Sequence, residues 1–430
     1  MLMMILFFSL LLLLFKFSYF VGIFLFLIVF IYFLDSYYLL GMDMIKGDLW
    51  GELGVDYISY FMILLLLWIT SIIMILFYFD LLFMLMLFFL FSMFMMFISL
   101  DFLMLFIYFE FSMFPMFLII MFMGFTKERY DSVIYMFIYT LLGSLPFLFI
   151  LLMLSGISGT LSIDYMTFNF IDLDFWVEFV LIFMFLVKVP MFMVHIWLPK
   201  AHVEAPVFGS MVLASIMLKM GGYGVIRCLD FANFDIMISD FFFCLGLCGG
   251  LLISYNCLFY NDMKVLVAYS SIVHMSMMLM GFFSGSELGY LGGIMMMLSH
   301  GICSSGMFYL VNEIYSVSGS RLLILNKGIM GSLPILSWMW FIMLMNNMGV
   351  PPCFGILGEL MLMGGCLSYS FFLFILNIFI IFFISCFVIN MFSLLLGGFY
   401  LFSSINVNIF SYYGVFLHLF PLNFFIFFLF

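Results

Sequence analysis

Apolar runs of about 20 residues recur along the whole chain, separated by short polar breaks. A run of that length lets an α-helix cross the roughly 30 Å hydrocarbon layer of a bilayer. Lipid offers the backbone no hydrogen-bond partners, so each crossing must be a closed helix. The pattern predicts an all-α polytopic membrane protein with about fourteen transmembrane helices: 2–15, 18–34, 57–78, 81–99, 101–123, 133–154, 177–198, 207–229, 240–259, 264–284, 289–312, 333–367, 371–397 and 412–430. The first is short for a span, and the twelfth is long and interrupted. The connections are mostly short, which leaves no room for an inserted soluble domain.

The basic residues test this count. Loops after odd-numbered spans hold seven of them: Lys16, Lys127, Arg129, Lys200, Lys264, Arg321 and Lys327. Loops after even-numbered spans hold two, Lys46 and Arg227. A miscounted span would scramble that bias, and the positive-inside rule puts the odd loops on the inner side with both termini outside.

Two spans carry helix breakers at corresponding places. Pro190 removes a helix hydrogen bond beside Lys188 and crowds the carbonyl of Leu186, and Pro199 and Pro206 then bracket a polar turn. Later, NNMGVPPCFGILGEL sets Gly349, Pro351 and Pro352 just ahead of Glu359. Grouping spans 4–8 with spans 9–13 makes each interrupted helix the fourth of five. Matched broken helices point to inverted repeats with an ion site at mid-depth. The expected organisation is N-terminal helices over 1–80 and a first repeat over 81–229 broken near 190–206. A second repeat follows over 240–397, broken near 346–359, and a C-terminal helix lies within 398–430.

Charges inside the spans carry the candidate chemistry. An ammonium near mid-bilayer costs roughly 2.5 to 3.5 kcal/mol on insertion scales. Lys188 and Lys219 nevertheless lie 31 residues apart in successive apolar spans. Glu110, in FIYFEFSMFPMF, is the natural partner of Lys188, and the pair reads either as a switchable charge pair or as a static one. Glycines at 221, 222 and 224 after Lys219 let neighbouring helices approach closely. His195, seven residues beyond Lys188, falls on nearly the same helical face and can relay protons. His202 and Glu204 lie in the connecting turn, where solvation competes with a relay role. In NDMKVLVAYSSIVHM, Asp262 can cap a helix start and Lys264 sits at the membrane edge. Ser270, Ser271 and His274 lie deeper. His300, with Ser299, Ser304 and Ser305, adds a polar cluster that either holds a chain of waters or satisfies a helix interface. Glu359, after the second break, either bonds the unwound backbone or exchanges protons with one aqueous face.

Composition narrows the field further. The chain has 430 residues, is 68% hydrophobic and 8% charged, which excludes an ordinary soluble globule. No basic patch suggests nucleic acid, and the eight cysteines are scattered in apolar helices without metal-ligand spacing. No cleavable signal or Arg-rich transit pattern precedes the first span. The chain shows no strand-linked GxGxxG, P-loop, iron–sulfur cysteine set or haem-ligand pattern, so any redox chemistry is expected elsewhere.

The stretch VKVPMFMVHIWLPKAHVEAPVFGSMVL…LKMGGYG resembles the signature of the antiporter-like, proton-pumping subunits of the mitochondrial NADH–ubiquinone oxidoreductase (complex I). Recognisable blocks extend from about Asp101 to Leu360. The resemblance implies that Glu110, Lys188, Lys219 and Glu359 are the ionisable nodes of proton translocation. It also implies that His195, His274 and His300 belong to a central hydrophilic axis, with Lys264 and Ser271 as further relay candidates. The segment after Glu110 departs from the family, reading FSMFPM where hydroxyl residues are usual, and the loop around Ser155–Phe175 differs in length.

The resemblance further implies the mitochondrial inner membrane, odd loops in the matrix and both termini in the intermembrane space. Neighbouring membrane-arm subunits and lipids are the expected partners. No cofactor is expected in this chain, with NADH, FMN, iron–sulfur clusters and ubiquinone handled by other subunits. The abundance of Phe (66) and Met (44) suits the AT-rich organellar genomes of that family. A cation/proton antiporter subunit of the same fold and an inert structural spacer remain as rival readings.

Overall fold

The computed structural model describes residues 47–48, 53–77, 80–124, 126–168, 174–231, 234–397 and 409–424. The first two expected spans, 2–15 and 18–34, lie outside these residues. A two-residue antiparallel hairpin, Gly47–Asp48 with Gly54–Val55, precedes the helices. The helices are α1 (Tyr57–Leu76), α2 (Asp80–Ile98), α3 (Phe102–Met123), α4 (Arg129–Ser158), α5 (Phe175–Lys188), α6 (Trp197–Glu204) and α7 (Val207–Asp230). They continue as α8 (Ile236–Phe259), α9 (Met263–Phe283), α10 (Glu287–Ser318), α11 (Pro334–Asn347), α12 (Gly355–Tyr369), α13 (Phe371–Leu396) and α14 (Ile409–Phe424). Among the described residues, nine are long and apolar enough to cross a membrane unaided. The pairs α5–α6 and α11–α12 are the two interrupted spans.

Two successive runs of five thus appear in chain order: α2, α3, α4, α5–α6, α7, then α8, α9, α10, α11–α12, α13. Burial sorts them by role. The apolar windows of α7, α9 and α10 are 94%, 89% and 89% buried, whereas that of α13 is 28% buried. The helices that carry the deep polar residues therefore sit in the middle, and the most apolar one, α13, faces outward.

The first interruption differs from the expected proline-bracketed turn. The helix stops at Lys188 and resumes at Trp197, so the non-helical stretch is 189–196 and much of the predicted turn is α6. Proline explains both facts. Pro190 cannot donate a backbone hydrogen bond, whereas Pro199 lies in the first turn of α6, where a missing N–H costs nothing. The Trp197 indole donates to the Val187 carbonyl at 3.0 Å, satisfying an acceptor left at the helix end. Met193 adopts a positive φ of 83° inside the break. The helical register between Lys188 and His195 is therefore lost, and the shared-face argument for His195 fails.

The second interruption follows Asn347, where Gly349 has φ 67°. A Cβ there would collide with the Glu359 carboxyl, so glycine is required by conformation and by space alike. The backbone N–H of Phe354, at the start of α12, donates to the Leu422 carbonyl of α14 at 2.8 Å.

Arg227, an exception to the charge bias, is neutralised locally. It is almost fully buried, contacts Asp56 at 2.5 Å and donates to the Tyr223 hydroxyl at 2.8 Å. Tyr223 in turn donates to the Phe97 carbonyl at 3.1 Å, which ties α1, α2 and α7 together.

Candidate functional site

Lys188 is the last residue of α5 and is 2% exposed. Its ammonium donates to the Phe109 carbonyl at 3.1 Å and lies over the Phe109 ring. The same carbonyl accepts the Ser112 hydroxyl at 2.7 Å. Glu110, one residue beyond Phe109, is close enough to Lys188 to interact electrostatically, yet its Oε1 is buried without a hydrogen-bond partner. The expected pair is thus a charge pair through space.

Lys219 is completely buried. Residues Leu213–Met217 form a π-helical turn, and the Lys219 ammonium donates to the Ala214 carbonyl, five residues back, at 2.6 Å. Its second contact is His300 Nδ1 at 2.9 Å. An ammonium only donates, so Nδ1 accepts and any proton on the neutral ring sits on Nε2. His274 follows, with ring centroids 5.4 Å from His300 and both ring nitrogens free of hydrogen bonds. Asn347, the last residue before the second break, lies against His274. Glu359, 7% exposed, rests its carboxyl on Gly349 beyond that break. Lys219, His300, His274 and Asn347 therefore form a polar row, with Glu359 beyond the second break against Gly349.

The hydroxyls contribute less than expected. Ser270, Ser271, Ser299, Ser304 and Ser305 each donate to a carbonyl three or four residues back in their own helix. Only their acceptor lone pairs remain for water. Between Lys188 and Lys219 the structure draws no hydrogen bond, and the Ser112 hydroxyl meets the Met220 sulfur at 3.6 Å.

A branch leaves the row toward the odd-numbered loops. His202 lies near both Lys219 and Lys264, stacks on Phe308 at 4.6 Å and has both nitrogens unpartnered. Lys264, placed at the membrane edge by sequence, is in fact buried. Its ammonium donates to Val203 and Ala205 carbonyls at 3.4 and 3.2 Å, and Arg321 reaches Val203 at 3.3 Å. Asp262 caps α9 as expected, accepting from the Lys264 backbone N–H at 2.9 Å. Glu204, at the end of α6, has its carboxyl pushed above the ordinary range by burial and then by Glu128, while Arg321 and Lys264 oppose the shift. His195 stacks on Phe192 at 5.7 Å and meets Tyr269 edge-on at 6.3 Å, away from the row.

Asn347, the π turn and the Arg321 contact were not singled out from sequence. The doubled asparagine before GVPP was the one visible signal. Among the described residues, no group of three or more His, Cys, Asp or Glu is placed to hold a metal ion.

Comparison with known proteins decides the family. Residues 99–387 match the model for the membrane domain of the NADH:quinone oxidoreductase/Mrp antiporter family. NADH-ubiquinone oxidoreductase chain 4 of Locusta migratoria is 38% identical over 387 residues, covering 86% of each chain. The chain belongs to the NADH-ubiquinone oxidoreductase chain 4 family. The relative from Aedes aegypti is 39% identical over 316 residues, 72% of this chain and 70% of that one. In fold, the chain matches a subunit of respiratory complex I from Thermus thermophilus, with a TM-score of 0.84 at 21% identity over 97% and 92% of the two chains. The Mrp complex from Dietzia gives 0.74 at 17% identity over 82% and 70%. The residues matched to the family model enclose the whole row from Glu110 to Glu359 and leave α14 outside.

Proposed function

We propose that this chain carries one proton path of the respiratory NADH:ubiquinone oxidoreductase through Glu110, Lys188, Lys219, His300, His274 and Glu359. The chain is an antiporter-like, multi-pass subunit of that enzyme in the mitochondrial inner membrane, alongside other membrane-arm subunits. The observation that carries the path is the fully buried Lys219 ammonium bonded to His300. Proton transfer along this contact converts ammonium and neutral imidazole into amine and imidazolium. His274 is the next acceptor, and Glu359 stands beyond the second break as the last group of the path. The Glu110 and Lys188 charges act on Lys219 from a distance, because the two lysines share no hydrogen bond.

The branch through Glu204, Lys264 and His202 supports uptake on the odd-loop side, which the basic-residue bias assigns to the matrix, with both termini in the intermembrane space. Glu359 is then the release group toward the intermembrane space. The interrupted helices support reading 81–229 and 240–397 as inverted repeats. NADH, FMN, iron–sulfur clusters and ubiquinone belong, in this reading, to other subunits. Fold likeness to the Mrp complex keeps a cation/proton antiporter role as the rival reading. Purification of the chain within an NADH-oxidising assembly separates the two.

The decisive variant is Lys219→Met, assembled in the complete enzyme and reconstituted in vesicles. The expected result is NADH oxidation with a reduced proton-to-electron ratio. A full ratio in an intact assembly favours the spacer reading and removes the path.

A further inference from the structure

Outside the row, the most complete titratable cluster lies between α10 and α14. His418 is completely buried, and its Nδ1 lies 2.8 Å from the Gly414 carbonyl. A carbonyl only accepts, so Nδ1 carries the hydrogen and the neutral ring leaves Nε2 as a bare acceptor. That Nε2 has no hydrogen-bond partner. The ring stacks on Tyr309 with centroids 6.4 Å apart and planes 17° apart. Glu313 lies one turn further along α10, with its carboxyl near the Tyr309 hydroxyl and near Ser411 of α14. Gly306 makes the approach possible, since a Cβ there would stand 3.1 Å from the His418 Cβ.

The cluster is held at both ends. Pro421 has no N–H to give the Leu417 carbonyl, and the Trp68 indole of α1 donates to that carbonyl at 3.3 Å. The Leu422 carbonyl accepts the Phe354 N–H at the second break. Glu313 lies five residues before the end of α10 at Ser318, roughly 7.5 Å along the axis, toward the loop that holds Arg321 and Lys327. Tyr309 and His418 lie deeper. A half-buried acid followed by a buried phenol and a buried base, in order from a loop face, forms a proton-binding ladder, and burying an unsatisfied imidazole nitrogen is costly.

We propose that Glu313, Tyr309 and His418 form a second proton-binding site, separate from the Lys219–Glu359 row and filled from the odd-loop face. One proton leaves a hydronium or the Glu313 acid and forms the Nε2–H bond of His418, with the Glu313 carboxylate as counter-charge. Tyr309 and Glu313 from α10 and Ser411 and Tyr412 from α14 surround the site. α1 contributes Trp68, and α11, PILSWMWFIMLMNN, holds no titratable residue. His418 sits four residues before the carbonyl that holds Phe354, so the occupied and empty states act on the helix that carries Glu359. The inference rests on the chain serving a proton-moving enzyme and is independent of the Lys219 contact.

The test uses the complete enzyme in vesicles, with the proton-to-electron ratio followed against pH on the odd-loop side. His418→Phe keeps the stack and removes both nitrogens, and Glu313→Gln keeps the shape and removes the charge. The expected wild-type profile has an inflection that H418F lacks and E313Q displaces. A wild-type profile without inflection, or an H418F profile that overlays wild type, overturns the proposal. Should H418F fail to assemble, E313Q decides, with an unmoved inflection counting against the site. K219M is the control: a changed ratio with the inflection retained separates this site from the main row.

Discussion

The two five-helix runs have the same order of elements but distribute charge differently. At the position just before each interruption, the first run has Lys188 and the second has Asn347. The first run places strong acids and bases apart, with Glu110, Lys188 and Lys219 joined by no hydrogen bond and the Lys188 ammonium resting on a backbone carbonyl. The second run places neutral or weakly basic groups in series, His300, His274 and Asn347, ending at Glu359. Closely spaced groups in series suit proton transfer, whereas separated charges suit electrostatic control. Lys219 joins the two styles: it belongs to the first run by sequence and to the second by its bond to His300.

The largest effect is expected at the second interruption. Gly349→Ala adds a Cβ where the Glu359 carboxyl rests, at φ 67°. The backbone strain alone costs on the order of 1 kcal/mol or more, and the carboxyl must also shift to make room for the added carbon. Assembly yield and the proton-to-electron ratio should both fall sharply. The mirror change at Met193, whose φ of 83° disfavours side chains, is Met193→Gly, and it should leave the ratio near wild type. Equal losses at both sites would mean that the two interruptions do the same work.

Much of this architecture was legible because the bilayer imposes it. Nine of the expected spans, among the described residues, and the doubled break follow from apolar length and proline chemistry, and a lysine deep in an apolar run has few roles. The failures share one cause: the sequence argument assumed regular helices. His195 was placed on the Lys188 face by a period of 3.6, and the break after Lys188 cancels that register. Lys264 lies at the start of α9, and the carbonyls at the end of α6 that hold its ammonium could not be read from a count of residues. The π turn before Lys219 depends on tertiary packing and leaves no mark in residue type.

A double-mutant cycle sharpens the first run. Lys188→Met removes an ammonium bonded to Phe109, and Glu110→Gln removes a charge that makes no direct contact with it. K188M should therefore lower proton translocation more than E110Q. Their coupling should be about 1 kcal/mol, near the low end of the range for interacting residues. Measured rates in the single and double variants give the coupling directly. A value above about 3 kcal/mol would indicate a direct ion pair during turnover and would make the first run resemble the second.

The smallest effect belongs to Glu204, where the two runs meet at the odd-loop face. Its carboxyl is raised from the ordinary 4.5 by burial first and Glu128 second. With the folded-state value above the unfolded one, the folded protein holds more protons as pH rises past 4.5, and stability falls over that interval. Glu204→Gln removes this loss without changing the shape of the site. The thermal midpoint of the assembled enzyme should therefore rise slightly in the variant near neutral pH, with the gain shrinking as the medium is acidified. A loss at neutral pH that shrinks on acidification would show that Lys264 and Arg321, not burial, govern this carboxyl, and that the second run supplies a true counter-charge to the first.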